Sequence, residues 1–181
     1  MIISPTEIAD VLLIKPRVFE DDRGFFMESF NRKLFSDKTE LDLDFVQDNH
    51  SRSLGGVLRG LHYQVGQPQG KLVRAVVGEI FDVVVDIRRN SPTFGLWIGE
   101  RLSADNRHQL WIPPGMAHGF LVLSEAAEVL YKTTDYYAPA CERTIRWDDP
   151  DLNITWPLTE APTLSAKDQA GAWLKDAEVF A

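Results

Sequence analysis

Arg59, His62 and Lys71 carry polar chemistry inside the stretch Gly56–Arg88, which otherwise reads as buried sheet. The runs around Val73, Ala75 and Val77 and around Phe81, Val83 and Val85 are β-branched or aromatic. Gly66, Gly70 and Gly78 punctuate them, so the pattern predicts strand, turn and hairpin. Polar side chains in such a place need a partner or a purpose. A histidine can take a proton, and an ammonium beside it can stabilise negative charge that develops on a reacting oxygen. Alone in a strand, His62 would read as a core histidine bonded to a carbonyl; with Lys71 and Arg59 close in sequence it reads as a base. Arg59, between Leu58 and Leu61, calls for an anionic partner wherever it is buried. Arg59 and His62 have opposite strand parity, so both can line one pocket only if Gly60 permits a bulge.

The elements that must hold these residues are short strands. Candidate strands recur at 11–14, 24–30, 45–50, 56–63, 71–77, 80–88, 94–102, 109–112, 118–123, 127–135 and 143–147, separated by Gly, Pro, Asn and Asp. Helical patterning is confined to a piece near 31–36, capped by Asn31, and to a tail helix near Ser165–Lys175. No alternation of strand and helix suggests a parallel sheet. The expected fold is therefore all-β, a sandwich or barrel, and closure into a jelly roll removes exposed edges. The 181 residues suffice for one domain with a single core, and no repeat, linker or low-complexity segment divides them.

Composition narrows the function classes. A formal charge of -8 without any basic run argues against nucleic-acid binding, so an anionic ligand must be met by a local basic pocket. No apolar run is long enough to cross a bilayer as a helix, which predicts no membrane association. Cys141 is the only cysteine and the N-terminal residues lack a signal-peptide pattern, so a reducing cytoplasm is the expected location.

Two segments resemble the signature halves of the cupin jelly roll: Gly56 through His62, and Ile112-Pro113-Pro114-Gly115-Met116-Ala117-His118-Gly119-Phe120. Cupins often bind a metal through two histidines and a glutamate in the first half and a further histidine in the second. Here Gln64 stands in place of the second histidine and Lys71 in place of the glutamate. An ammonium among would-be ligands repels a divalent cation, and two histidines fall short of a catalytic metal set. No metal and no other cofactor is expected.

Arg23-Gly24-Phe25-Phe26-Met27-Glu28, Gln47-Asp48-Asn49-His50-Ser51, Leu58 through Gln64, Tyr131-Lys132 and Leu164-Ser165-Ala166-Lys167-Asp168 together resemble the dTDP-4-dehydrorhamnose 3,5-epimerase family. Trp147-Asp148-Asp149-Pro150 and Ile154-Thr155-Trp156-Pro157 extend the likeness. The resemblance implies a dTDP-4-keto-6-deoxy sugar as substrate and metal-free inversion at C3 and C5. Protons beside a ketone are acidic because the carbanion is an enolate; the reaction needs a base, an oxyanion stabiliser and an acid on the opposite face. The resemblance makes His62 the base, oriented by Asp168, with Lys71 facing the C4 oxygen and Tyr131 as the acid; Tyr136 and Tyr137 are rivals for the last role. It also implies that Arg23, Arg59 and Lys167 hold the diphosphate, and that Gln47, Asn49, Glu28 and Glu142 address base and sugar. Guanidinium forks and an ammonium suit phosphate, although Lys167 taken alone reads as a solvated surface residue. His118 either touches substrate or is a remnant of the metal site held by a polar neighbour. A homodimer is implied, in which the segment bearing Arg23, Phe26 and Glu28 completes the partner's pocket. The competing readings are a single-carbon epimerase of a related keto sugar, a metal-binding cupin oxygenase, and a nucleotide-sugar binding cupin without catalysis.

Overall fold

The computed structural model describes residues 1–181. The strands are β1 (Ile2–Pro5), β2 (Leu12–Lys15), β3 (Val18–Asp21), β4 (Gly24–Met27), β5 (Gln47–Leu54), β6 (Leu58–Gln64), β7 (Lys71–Val77), β8 (Glu79–Asp86), β9 (Trp97–Ser103), β10 (Gln109–Ile112), β11 (Met116–Val122), β12 (Ala126–Thr133) and β13 (Glu142–Thr144). Six form one antiparallel sheet in the order β1-β2-β10-β7-β12-β5, and five form another in the order β13-β6-β11-β8-β9. The two sheets face each other as a jelly roll, and β3 with β4 makes a separate two-stranded ribbon. No helix is long and apolar enough to cross a membrane.

Alternation along the strands decides what each face meets. Val73, Ala75 and Val129 of the first sheet pack between the layers against Ile80, Val84, Ile98 and Phe120 of the second, filling one part of the barrel. Each fully buried aliphatic side chain contributes about 2 kcal/mol. The outer face of the second sheet carries Leu58, Leu61, Val83 and Val85, which chain from Ile145 onward covers with Leu152, Trp156 and Leu174. Helix α1 (Arg32–Thr39) covers part of the other outer face, setting Phe35 against Trp111, Leu72 and Ile14. Asn31 caps α1 as expected, its side chain accepting from Leu34 N at 3.0 Å, and the helix continues beyond 36 to a left-handed Glu40.

The tail differs from expectation. Instead of one helix over 165–175, a short helix α2 (Ala166–Gln169) is followed by a 3-10 turn at Leu174–Asp176. Between them the backbone is drawn into pairing: Ala172 N donates to Thr144 O and Arg146 N to Ala172 O. Gly171 lies so close to the Ile145–Arg146 peptide that an added Cβ would stand 3.0 Å from Arg146 N. Strand pairing overrides the helical preference of the Ala-rich stretch. Two strands went unread, β1 and β3, the first lying at the edge of its sheet and the second outside both large sheets.

Gly60 does form the bulge. His62 lies opposite His118 and Arg59 opposite Phe120, so Gly60 and Leu61 together face the single residue Gly119. Gly60 has φ +120°, and a Cβ there would fall 2.5 Å from Gly119 Cα and 2.8 Å from His118 O. Gly60→Ala should therefore destabilise the fold by about 3 kcal/mol, the combined cost of a strained backbone and overpacking against main chain. Urea unfolding checks this; a loss under about 1 kcal/mol would show that the two strands separate easily.

Candidate functional site

The open part of the barrel is a cavity of about 340 Å³ between the sheets. Strand β5 contributes Gln47 and Asn49, β6 contributes Arg59 and His62, β7 Lys71, β11 His118, β12 Tyr131 and β13 Glu142, while α2 brings Lys167. Nine residues chosen from sequence thus converge on one cavity. Asp168 lies directly behind it.

His62 Nε2 and Asp168 Oδ1 are 2.6 Å apart, with Asp168 buried. Asp168 also accepts from Gly60 N at 3.1 Å and from Ser165 Oγ at 2.6 Å, and it closes a capping box with Ser165 at the start of α2. Burial opposes its ionisation, yet the hydrogen bonds from His62, Ser165 and Gly60 hold its carboxyl well below the usual range. A carboxylate so held fixes the histidine tautomer: Nε2–H donates to Asp168 and Nδ1 is left to accept a proton. Burial lowers the His62 pKa and the Asp168 bond only partly offsets it, so the ring is neutral and basic near neutrality.

Lys71 is buried, and its Nζ donates to His62 O at 3.3 Å. Burial lowers its pKa to about 8, with Asp82 and Glu142 opposing and Lys167 adding to the fall. Tyr131 is half-buried and burial raises its phenol, which keeps the proton on at neutral pH. Tyr137 reaches the same cavity, but its hydroxyl donates to Glu142 Oε2 at 3.0 Å, whereas Tyr136 is exposed outside. Glu142 also accepts from Lys167 Nζ at 2.7 Å, so Lys167 is held at the rim rather than loose on the surface. Gln47 Nε2 donates to Asn49 Oδ1 at 2.9 Å, and Gln47 Oε1 accepts from Tyr137 N.

Arg59 is not buried. It projects across the cavity, where Nε donates to Ser53 Oγ at 2.9 Å and Nη2 approaches Arg52 O at 3.3 Å; no carboxylate meets it. Arg23 and Glu28 do not reach this chain's own cavity. Arg23 pairs with Asp21 at the solvent-exposed turn of the β3–β4 ribbon, and Glu28 accepts from Asn31 Nδ2. Phe19, Phe25 and Phe26 of the same ribbon are 49%, 56% and 67% exposed. His118 Nε2 lies 2.8 Å from Asp82 Oδ1, so it lines the cavity and is also held by a polar neighbour.

The residues that stand where a cupin would hold its metal do not fit a cation. Gln64 is spent on backbone, donating to Gln67 O and Tyr136 O and accepting from Ala138 N, and Lys71 brings a positive charge. Asp82 and Ser53 carry no signal of their own in the sequence; they act only through the residues they touch.

A jelly roll whose open end sets an oriented imidazole, a buried ammonium and a protonated phenol around one cavity defines an acid–base enzyme built for removing and returning protons. The family model for dTDP-4-dehydrorhamnose 3,5-epimerase matches residues 5–176, and the chain belongs to that family. It is 64% identical over 173 residues to the dTDP-4-dehydrorhamnose 3,5-epimerase of Pseudomonas aeruginosa, covering 96% of each chain. Among solved structures it is similar to the dTDP-6-deoxy-D-glucose-3,5-epimerase of Legionella pneumophila in complex with dTDP-4-keto-L-rhamnose, with TM-score 0.95, 52% identity and coverage of 97% and 94%. A 3'-monoepimerase from Streptomyces bikiniensis in complex with dTDP-quinovose shares the fold at TM-score 0.90 and 34% identity, covering 94% of this chain and 87% of that one.

Proposed function

We propose that this protein epimerises dTDP-4-dehydro-6-deoxy-glucose at C3 and C5 to dTDP-4-dehydro-rhamnose, in the making of dTDP-L-rhamnose. The His62–Asp168 pair at 2.6 Å beside the buried Lys71 carries the reading. His62 removes the proton next to the C4 ketone, Lys71 donates to the C4 oxygen as it becomes an oxyanion, and Tyr131 delivers a proton to the opposite face. The electron pair of the broken C–H bond enters the enolate and returns to the same carbon when the new C–H bond forms, so no redox partner is needed. Arg59 and Lys167 bind the diphosphate, Gln47, Asn49 and Glu142 the nucleoside and sugar, and His118 the sugar. Incubation of the keto sugar in deuterated water should place label at both C3 and C5 of the product. Label at one carbon alone would make the protein a single-carbon epimerase, and none at all would reject catalysis by enolisation.

The two perturbed groups set the pH dependence. His62 must be neutral to accept a proton, so activity falls as pH drops through its pKa, which lies below the 6.5 of a free imidazole. Lys71 must be charged, so activity also falls as pH rises through about 8. The kcat/KM profile should be a bell with its maximum between these limits; a rate still climbing above pH 9 would remove Lys71 from the oxyanion role.

The protein acts as a homodimer, in the cytoplasm. The exposed phenylalanines of the β3–β4 ribbon, with Arg23 and Glu28 beside them, suit a second chain's pocket, where Arg23 reaches the diphosphate and Glu28 the nucleoside. Light scattering should give twice the mass of one chain. A fully active monomer would reject the shared pocket.

A further inference from the structure

Asp82 lies on β8, opposite Phe120 of β11 and Glu100 of β9, and is entirely buried. One oxygen meets His118 Nε2 at 2.8 Å; the other, Oδ2, is buried without any hydrogen-bond partner. A carboxylate withdrawn from water with one bare oxygen is costly unless a cation compensates it. Lys71 supplies that cation: the two influence each other electrostatically but make no direct ion pair. An ammonium has three protons, and Lys71 donates to only one acceptor in the chain, His62 O at a long 3.3 Å.

We propose that Asp82 is a positioning residue for the epimerisation: a counter-charge behind the pocket that keeps Lys71 an ammonium and orients His118, without taking up the Lys71 protons that the C4 oxygen needs. This rests on the function proposed above. A direct salt bridge would hold the charge but take a second of the three protons, whereas a carboxylate set back from it favours the charge and leaves both remaining protons for substrate. Of the other charges near Lys71, Glu142 also favours the ammonium, though less than Asp82. Glu142 is tied to Lys167 and Tyr137, Lys167 itself repels, and His62, neutral, offers only its backbone carbonyl. Glu100, across the strand from Asp82, has its ionisation disfavoured by burial, with Lys15 opposing.

The test compares Asp82→Asn, Lys71→Arg and the double variant with the parent. Deuterium exchange into the keto sugar is followed from pH 6 to 10, and the Lys71 ε-carbon is titrated by NMR in parent and Asp82→Asn without substrate. In Asp82→Asn the alkaline limb and the Lys71 titration should both move to lower pH by about one unit or more, with a roughly tenfold lower rate at pH 8 and unchanged affinity for dTDP. Lys71→Arg should have no alkaline limb in this range, and adding Asp82→Asn should not create one. A limb and lysine titration that stay in place overturn the proposal, as does an equal loss at every pH. Should the parent fail to turn over the keto sugar, the proposed function falls while the lysine titration still decides the role of Asp82. If Asp82→Asn does not fold, the parent's own Asp82 carboxyl resonance should shift as Lys71 titrates and cease to do so in Lys71→Met; no coupled shift overturns the idea.

Discussion

His62→Ala is expected to remove deuterium exchange at C3 and C5 together, by 10²–10⁴-fold or more, about the range a lost general base costs. Two imidazoles line the cavity, each held by a buried carboxylate, His62 by Asp168 and His118 by Asp82; with His62 as the base of the proposed reaction, both abstractions draw on that one group. The alanine leaves Asp168 with donors at Gly60 N and Ser165, so its charge stays bonded and the fold should survive. Circular dichroism and dTDP affinity close to those of the parent would confirm that chemistry alone was lost. Exchange persisting at the parental rate would make His62 structural; loss at only one carbon would require a second base.

Tyr131→Phe should separate two events that the parent couples. The ring keeps nearly its volume, so the change removes a hydroxyl and leaves no cavity of consequence. With the phenol gone, His62 can still take a proton and, after exchange with solvent, return deuterium to the face it came from. Exchange should therefore remain measurable while inverted product falls by about 10²-fold or more, the loss expected of a general acid. Tyr137 is poorly placed to substitute, because its proton is committed to Glu142. Equal falls in exchange and inversion would deny Tyr131 a selective role, and no change in either would pass the donor role to Tyr137 or water.

The barrel was legible because strand alternation is a local signal: each residue of β7 or β8 reports its own face. The bulge at Gly60 was legible for a different reason, a parity conflict between Arg59 and His62 that a regular strand could not satisfy. The tail was misread because the Ala-rich stretch after Ser165 favours helix locally, while Gly171 and Ala172 are claimed by backbone at Thr144–Arg146, a partner remote in sequence. The first-rank site residues stood out through chemically distinctive types in a familiar combination. Asp82 stayed hidden because an aspartate in a strand gains meaning only from His118, which the sheet order brings beside it, and from Lys71, which belongs to the facing sheet.

Asp168 belongs at once to the cap of α2 and to the His62 pair, and His62 precedes it by 106 residues. On the ribosome the strands bearing His62, Lys71 and Tyr131 are made and can begin to pair before Asp168 exists. Until that later segment docks, His62 lacks the carboxylate that fixes its tautomer, and Gly60 N lacks its acceptor at the bulge. An oriented base thus waits on a segment synthesised after the strands that carry the other proton-moving groups.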